Sequence, residues 1–292
     1  MRIASILVIT GPTASGKTAA ALERAREDTS IEIVNADASL LYRSFDIGTD
    51  KPSIQIRAEI PHHLIDILNP EDFFNAADYS RMARNVIRTL IANGKTPLVV
   101  GGTGFYIDAL FDGIPELDIP NEAMELAKER VQHEMKVEGF DAMHERLRSI
   151  DPSLYKQIQR ERNPLRLYRA WEHYYATGEP LGEARKRTAE AFEFAPNYQV
   201  LQVPRIELWR RIEIRIDEML KAGWLEEARK LKQSGITRTM PAMRAIGYRE
   251  LFDVLDGIIS LEAAREKIII RTRQYAKRQV TWMKKYTDEI RN

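Results

Sequence analysis

No cysteine occurs among the 292 residues, which excludes a disulfide framework and any Cys-ligated zinc or iron–sulfur site. No apolar run approaches the ~20 residues that a bilayer-spanning helix needs. The chain runs from Met1 straight into an apolar strand pattern, so neither a signal peptide nor a membrane anchor is expected, and the expected location is the cytoplasm. An excess of one charge is missing too: 44 Lys and Arg against 43 Asp and Glu leave a net charge of +1. Internal repeats and low-complexity segments are likewise lacking. What is present is a polypeptide with 44% hydrophobic residues, long enough to bury a substantial core in one large or two modest domains.

Within that frame the most specific signal is Gly11, Pro12, Thr13, Ala14, Ser15, Gly16, Lys17 and Thr18, directly after the apolar run Ile6–Ile9. This is G-x-x-x-x-G-K-[ST] after a strand and before a helical pattern at Thr18–Arg26. Backbone N–H groups of such a loop converge on phosphate oxygens, and the following helix N-terminus adds partial positive charge. Lys17 supplies a mobile cation, and the Thr18 hydroxyl suits a phosphate-bound Mg²⁺. A bound diphosphate or triphosphate follows, without its identity.

The wider pattern predicts an α/β fold: a P-loop parallel sheet flanked by helices, with an all-helical insertion domain. Strands are expected at Ile3–Ile9, Ile31–Val34, His63–Ile67, Pro97–Gly101 and Tyr198–Val203, with helical patterns separating the first from the second and the third from the fourth, notably Ala76–Asn93. Residues 121–190 read as helical throughout, with breaks at Gly139, Pro152, Pro164, Gly178 and Gly182. Further helices are expected at 205–222, 224–234, 244–254 and 260–285. The predicted domains are a catalytic core of residues 1–112 and 197–292 and a helical insertion of residues 113–196. Pro and Gly at its borders suggest that the insertion swings when a partner binds. His62 and His63 sit side by side on a strand, point to opposite faces, and read as structural.

Basic residues are clustered although the total is balanced. One cluster runs from Arg265 to Lys285, a second comprises Arg160, Arg162, Arg166 and Arg169, and a third is Arg185–Arg187. Tyr168, Trp171, Tyr275 and Trp282 lie among them, which favours a nucleic-acid surface. On the last helix Arg271, Tyr275, Arg278, Trp282 and Lys285 share one face, while Ile268, Thr272, Ala276 and Met283 share another.

Two further constellations belong at the carboxyl ends of the strands, where open parallel sheets bind ligands. Asp37 follows the second strand and is placed to hold Mg²⁺, cap a helix or act as a general base. Gly101, Gly102, Thr103 and Gly104 follow the fourth strand, permitting a tight turn and presenting a hydroxyl. A kinase or ATPase usually shows an apolar strand ending in a Walker B Asp; here the strand ends in Val-Val-Gly-Gly. The loop therefore grips phosphate without the usual hydrolytic machinery.

Taken in order, these segments resemble the tRNA dimethylallyltransferases (tRNA isopentenyltransferases) of bacterial type. The matching stretches are residues 11–18, Asp37 with Tyr42, Asp46–Pro52, Pro61–Asp66, Val100–Tyr106, Arg169–Glu172, Ala245–Glu250 and Thr272–Gln279 with Thr281 and Trp282. The resemblance implies transfer of a dimethylallyl group from dimethylallyl diphosphate to N6 of the adenosine just 3′ of the anticodon, in tRNAs reading codons that begin with U. It implies Asp37 as general base, with Thr13 and Arg211 on the bridging oxygen of the leaving diphosphate. It also implies base flipping of the target adenine. Asp37, Ala38, Ser39, Leu40 and Thr103 are then the contacts near that base. Leu165, Arg166, Leu167, Tyr168 and Arg169, with Arg244, Ala245, Ile246, Gly247, Tyr248, Arg249 and Arg278, hold the anticodon stem-loop. Mg²⁺ at Thr18 is the implied cofactor, and a monomer is expected.

The chain departs from the family at Ala38 and Leu40, where Ser and Gln are usual, with Ser39 one place later, and at Pro164 in place of Asp. Three other proteins share parts of this pattern. They are an adenylate isopentenyltransferase using free nucleotide, a P-loop small-molecule kinase, and a tRNA-binding protein without activity.

Overall fold

Residues 5–114, 119–185 and 190–289 are described in the computed structural model of the chain. Lys186 and Arg187 of the third basic cluster, and the first residues of the strand expected at 3–9, lie outside them. Five strands form one sheet: β1 (Ser5–Thr10), β2 (Ile31–Asn35), β3 (His62–His63), β4 (Thr96–Gly101) and β5 (Ala195–Val200). Their spatial order is β3-β2-β4-β1-β5, and every neighbouring pair is parallel. Parallel neighbours need crossovers, and helices supply them: α1 (Lys17–Glu27), α2 (Ile54–Glu59), α3 (Ala76–Ala92) and α4 (Gly104–Phe111). Val8, Ile9, Val34 and Val99 are completely buried, as strands covered on both faces require.

Local sequence explains the sheet-flanking helices. Asn75 accepts from the N–H groups of Ala77 and Asp78 while Asp78 returns a carboxylate to the Asn75 N–H, a capping box that starts α3. Ala76, Tyr79, Ser80, Ala83, Ile87 and Leu90 then form its buried stripe at helical spacing. Gly94 takes φ +68° beyond its end, and the chain turns into β4.

The third strand is shorter than the expected His63–Ile67. Leu64 and Asp66 both adopt left-handed φ values, 61° and 56°, which a strand cannot accommodate. Asn35 captures the Leu64 carbonyl at 2.8 Å, and Asp66 accepts from Lys51 and Arg57 at 2.6 Å each. The segment is thus a bracket for the loop after β2. β5 begins at Ala195, earlier than the expected Tyr198.

The C-terminal helices are α9 (Arg205–Lys221), α10 (Trp224–Gln233), α11 (Tyr248–Leu255) and α12 (Leu261–Glu289), in chain order after the helices of the other unit. They share one core in which Leu208, Ile212, Ile216, Trp224, Tyr248 and Ile268 meet Phe45 from the loop after β2. On α12 the expected packing residues Ile268, Ala276 and Met283 are buried. The helix pattern expected at 244–254 is broken by Gly247 at φ +107°, so α11 begins only at Tyr248.

Two compact units result: Met1–Gly113 with Ala191–Asn292, and Ile114–Glu190. The second contains α5 (Asn121–Ile150), α6 (Pro152–Glu161), α7 (Pro164–Thr177) and α8 (Leu181–Ala184). Its own core holds Val131, Met143, Leu147, Ile158 and Trp171, and the Trp171 indole donates to the Met143 carbonyl at 3.1 Å. Gly139 interrupts α5 with φ 81° and ψ 173°. Asp151 caps α6 at the Leu154 N–H and also accepts from the Gly182 N–H at 2.7 Å, which ties α8 to α6.

Candidate active site

The phosphate loop occupies Gly11–Thr18, between β1 and α1. Ala14 and Gly16 take left-handed φ values of 61° and 93°, so the backbone folds into a concavity of N–H groups. Lys17 lies across it, donating to the carbonyls of Gly11 and Pro12 at 2.9 Å each. Burial lowers its pKa to about 8 against the opposing pull of Asp37. Ser15 Oγ and Arg215 Nε are buried and have no hydrogen-bond partner among the described residues. Unsatisfied donors lining a concavity of N–H groups fit an anion.

Asp37 stands at the mouth of the loop. Its N–H donates to Asn35 Oδ1 at 2.8 Å, and its Oδ1 accepts from the Ser39 N–H at 3.0 Å and the Ser39 hydroxyl at 2.7 Å. The hydroxyl at position 39 therefore orients the carboxylate, and Asp37 Oδ2 takes no hydrogen bond among the described residues. Thr103 accepts from the Ala38 N–H at 3.0 Å, joining the loops after β2 and β4.

Arg215, one turn beyond Arg211 on α9, is the arginine that reaches Thr13. It donates to Thr13 Oγ1 at 2.7 Å and pairs with Asp50 at 3.2 Å. Arg211 instead donates to Glu207 at 2.8 Å, and its side chain is 44% exposed. The sequence places Thr13 and Arg211 on the bridging oxygen; in the structure the hydrogen bond to Thr13 comes from Arg215, while Arg211 lines the phosphate-loop cavity. The helix face is the one expected; the depth along it differs, because Glu207 one turn earlier holds Arg211 at the rim.

Asp50 belongs to a loop that sequence reasoning left without a role. Glu227 on α10 accepts from the N–H groups of Asp46 and Ile47 at 3.1 and 2.8 Å and from the Tyr248 hydroxyl at 2.6 Å. The almost fully buried Lys51 ammonium donates to the Tyr42 carbonyl, Asp46 and Asp66. These bonds hold Thr49 and Asp50 against the phosphate loop. The only signal for them in the sequence was the segment Asp46–Pro52.

Two cavities meet here. One of about 460 Å³ follows the phosphate loop, with Ser15, Lys17 and Thr18 in its lining. The other, of about 490 Å³, has a polar end at Asp37, Thr103, Tyr275 and Arg278 and an apolar side of Ile212, Ile216, Met219, Trp224 and Ile268. Thr13, Asp37, Thr49 and Arg215 line both. Tyr275 stays protonated, since burial and then Asp37 push its pKa far up.

The residues expected to hold nucleic acid separate into groups. Arg244, Ala245, Ile246 and Arg278 line the larger cavity, and Leu40 lines the smaller. Arg249 is exposed. Tyr248 is buried with its hydroxyl on Glu227, and Gly247 is buried against the Trp224 ring, so both serve packing and not a surface. In the helical unit Leu165 is exposed, but Leu167 is buried in the core and is removed from the expected contacts. Arg166 and Arg169 lie close enough to Arg185 to repel its charge, which draws parts of two basic clusters together.

Residues 40–286 match the family described as IPP transferase. The chain is 45% identical over 278 residues to tRNA dimethylallyltransferase 1 of Pelobacter propionicus, covering 95% of this chain and 88% of that protein. It is 40% identical over 282 residues to the tRNA dimethylallyltransferase of Alkalilimnicola ehrlichii, covering 96% and 87%. Among solved structures, a full-length tRNA isopentenylpyrophosphate transferase from Bacillus halodurans superposes with TM-score 0.67 at 33% identity, covering 96% of this chain and 86% of that one. A eukaryotic dimethylallyltransferase acting on tRNA superposes with TM-score 0.78 at 27% identity, covering 96% and 70%. With its phosphate loop, sheet order and nearly full-length likeness to these enzymes, the chain belongs to the IPP transferase family.

Proposed function

We propose that this enzyme transfers a dimethylallyl group from dimethylallyl diphosphate to N6 of the adenosine 3′-adjacent to the anticodon, in tRNAs reading codons that begin with U. The observation that carries the reading is the junction of the two cavities at Thr13, Asp37 and Arg215. The phosphate loop takes the diphosphate. The larger cavity takes the apolar chain along Ile212, Ile216 and Met219 and a flipped adenine at its polar end.

Adenine N6 attacks C1 of the dimethylallyl group, and the C1–O bond breaks with its electron pair going to diphosphate. The N6 proton passes to Asp37, whose Oδ2 is open while Ser39 holds Oδ1; such proton removal contributes roughly 10²–10⁴-fold. Thr13 and Arg215 meet the charge that grows on the bridging oxygen, and Lys17 meets the terminal phosphate. Among the described residues no group of three His, Cys, Asp or Glu is arranged to hold a metal ion. A hard cation here would combine the exposed Thr18 hydroxyl with phosphate oxygens and water, a donor set that suits Mg²⁺. When bound, Mg²⁺ would offset charge on the leaving diphosphate.

Arg278 and Arg244, and separately Arg166 and Arg169 in the helical unit, hold the anticodon stem-loop. Among the described residues no helix is long and apolar enough to cross a membrane, and the cytoplasm is the proposed location. The test is mass analysis of nucleosides after incubation with dimethylallyl diphosphate and either unmodified tRNA or AMP. Isopentenyladenosine at the position 3′ of the anticodon supports the reading; modification of AMP alone would refute the choice of acceptor.

A further inference from the structure

Gln279 is a buried amide to which the family resemblance gives no role. It lies on α12, 5% exposed, shares a side-chain hydrogen bond with Tyr275, and makes two bonds of 2.8 Å to the backbone. Its Oε1 accepts from the Thr13 N–H in the phosphate loop, and its Nε2 donates to the Gly102 carbonyl after β4. A backbone N–H only donates and a carbonyl only accepts, so the orientation of the amide is fixed by its partners. The seat is tight: a Cβ on Gly102 would lie 2.4 Å from Nε2. Gln279 thus spans the crevice between the loops that follow β1 and β4.

The consequence falls on Thr13. Its N–H is withdrawn from the anion-binding set by Gln279, and its hydroxyl is held by Arg215 at 2.7 Å. Two side chains from different helices therefore set where the Thr13 hydroxyl points. We propose that Gln279 is a positioning residue for diphosphate departure, seating Thr13 so that its hydroxyl and Arg215 together meet the bridging oxygen. The inference rests on the function proposed above. Gln279 itself reaches no reacting atom; it acts through Thr13.

Two variants test it. Gln279→Met keeps the length of the side chain and removes both backbone bonds together with the bond to Tyr275. Its kcat for transfer to tRNA should fall roughly 10- to 100-fold, with the KM for tRNA within about twofold, since misplacing a reacting group by 1 Å costs on that order. Gln279→Glu supplies two acceptors when ionised, but one acceptor and one donor when protonated, which reproduces the amide. Its kcat relative to wild type should therefore rise as pH falls from about 8 to about 6, a range into which a buried carboxyl can be raised. The charged and titratable groups nearby are Lys17 on α1, Asp37 after β2, Arg215 on α9, and Tyr275 and Arg278 on α12. They are common to both proteins, so the ratio isolates the new carboxyl. A Gln279→Met enzyme with wild-type kcat, or a Glu-to-wild-type ratio flat in pH, overturns the inference. If circular dichroism shows that the Gln279→Met protein does not fold, the pH ratio decides alone. Wild-type protein that prenylates no tRNA would sink the parent reading and, with it, this one.

Discussion

Replacing Arg215 and Arg211 separately by alanine tests the geometry of diphosphate departure. Arg215→Ala removes the donor 2.7 Å from Thr13 Oγ1 and, with it, the cation proposed to meet the bridging oxygen. Loss of one such preorganised donor typically costs roughly 10²–10³ in kcat, or about 2.7–4 kcal/mol. Stability should hardly change, because the released Asp50 side chain is 60% exposed and remains hydrated. Arg211→Ala removes an ion pair with Glu207 in which both side chains are partly exposed. Pairs of this kind contribute about 0–1 kcal/mol to stability, and because Arg211 bonds Glu207 and not Thr13, kcat should fall far less than for Arg215→Ala. The assay is single-turnover transfer from labelled dimethylallyl diphosphate with protein in excess over unmodified tRNA, which isolates chemistry from product release. Thermal melts of both variants check folding. Equal losses, or a larger loss for Arg211→Ala, would refute the placement of Arg215 on the leaving group.

Asp37→Ala should abolish transfer, by roughly 10²–10⁴-fold, while leaving the affinity for diphosphate nearly intact; near-normal turnover would remove the base from this position. Lys17 has its pKa lowered to about 8 in the free protein, and a bound diphosphate favours the ammonium form. Binding of a non-reacting dimethylallyl thiodiphosphate should therefore take up a proton above pH 8 and weaken by up to about tenfold per unit. Calorimetry in buffers of different ionisation heat reads this, and no proton uptake at pH 9 contradicts it. Arg166→Gln with Arg169→Gln should weaken tRNA binding and reduce its slope against log salt by about 1 to 2; an unchanged slope places the contact elsewhere. Gly247→Ala would press a methyl group against the Trp224 ring, 2.2 Å away at φ +107°, and should destabilise the protein by at least about 1–3 kcal/mol in urea titration.

The sheet and its helices were legible because their signals are local. Buried strand runs, the Asn75–Asp78 cap and Gly94 each specify their own segment. The strand expected at His63–Ile67 was misread because its apolar residues serve a loop. Leu64 and Asp66 bend to meet Asn35, Lys51 and Arg57, contacts that periodicity cannot register. The phosphate loop and the position of Asp37 at the sheet's carboxyl edge followed from motif and topology. Arg211 and Arg215 could not be told apart, since both occupy one helical face and only Glu207 and Asp50 sort them. Leu167 and Tyr248 were grouped with their basic neighbours along the chain, yet a helix sends adjacent residues to different sides. Gln279 was visible only as part of a motif. Its partners lie 266 and 177 residues away.

The position of β1 in the sheet bears on synthesis of the chain. β1 pairs with β4 on one side and β5 on the other, but the helical unit is encoded between those two strands. Roughly ninety residues separate Gly101 from Ala195, about 5–20 s of translation at ordinary rates. Throughout that interval a nascent β1 has one ladder of N–H and C=O groups unpaired, the type of edge at which strands from other chains add. Arg215 and Gln279, which fix Thr13, leave the ribosome later still. The phosphate loop is therefore among the first segments made and among the last to gain its full set of partners, so a truncated product would retain the motif without the geometry.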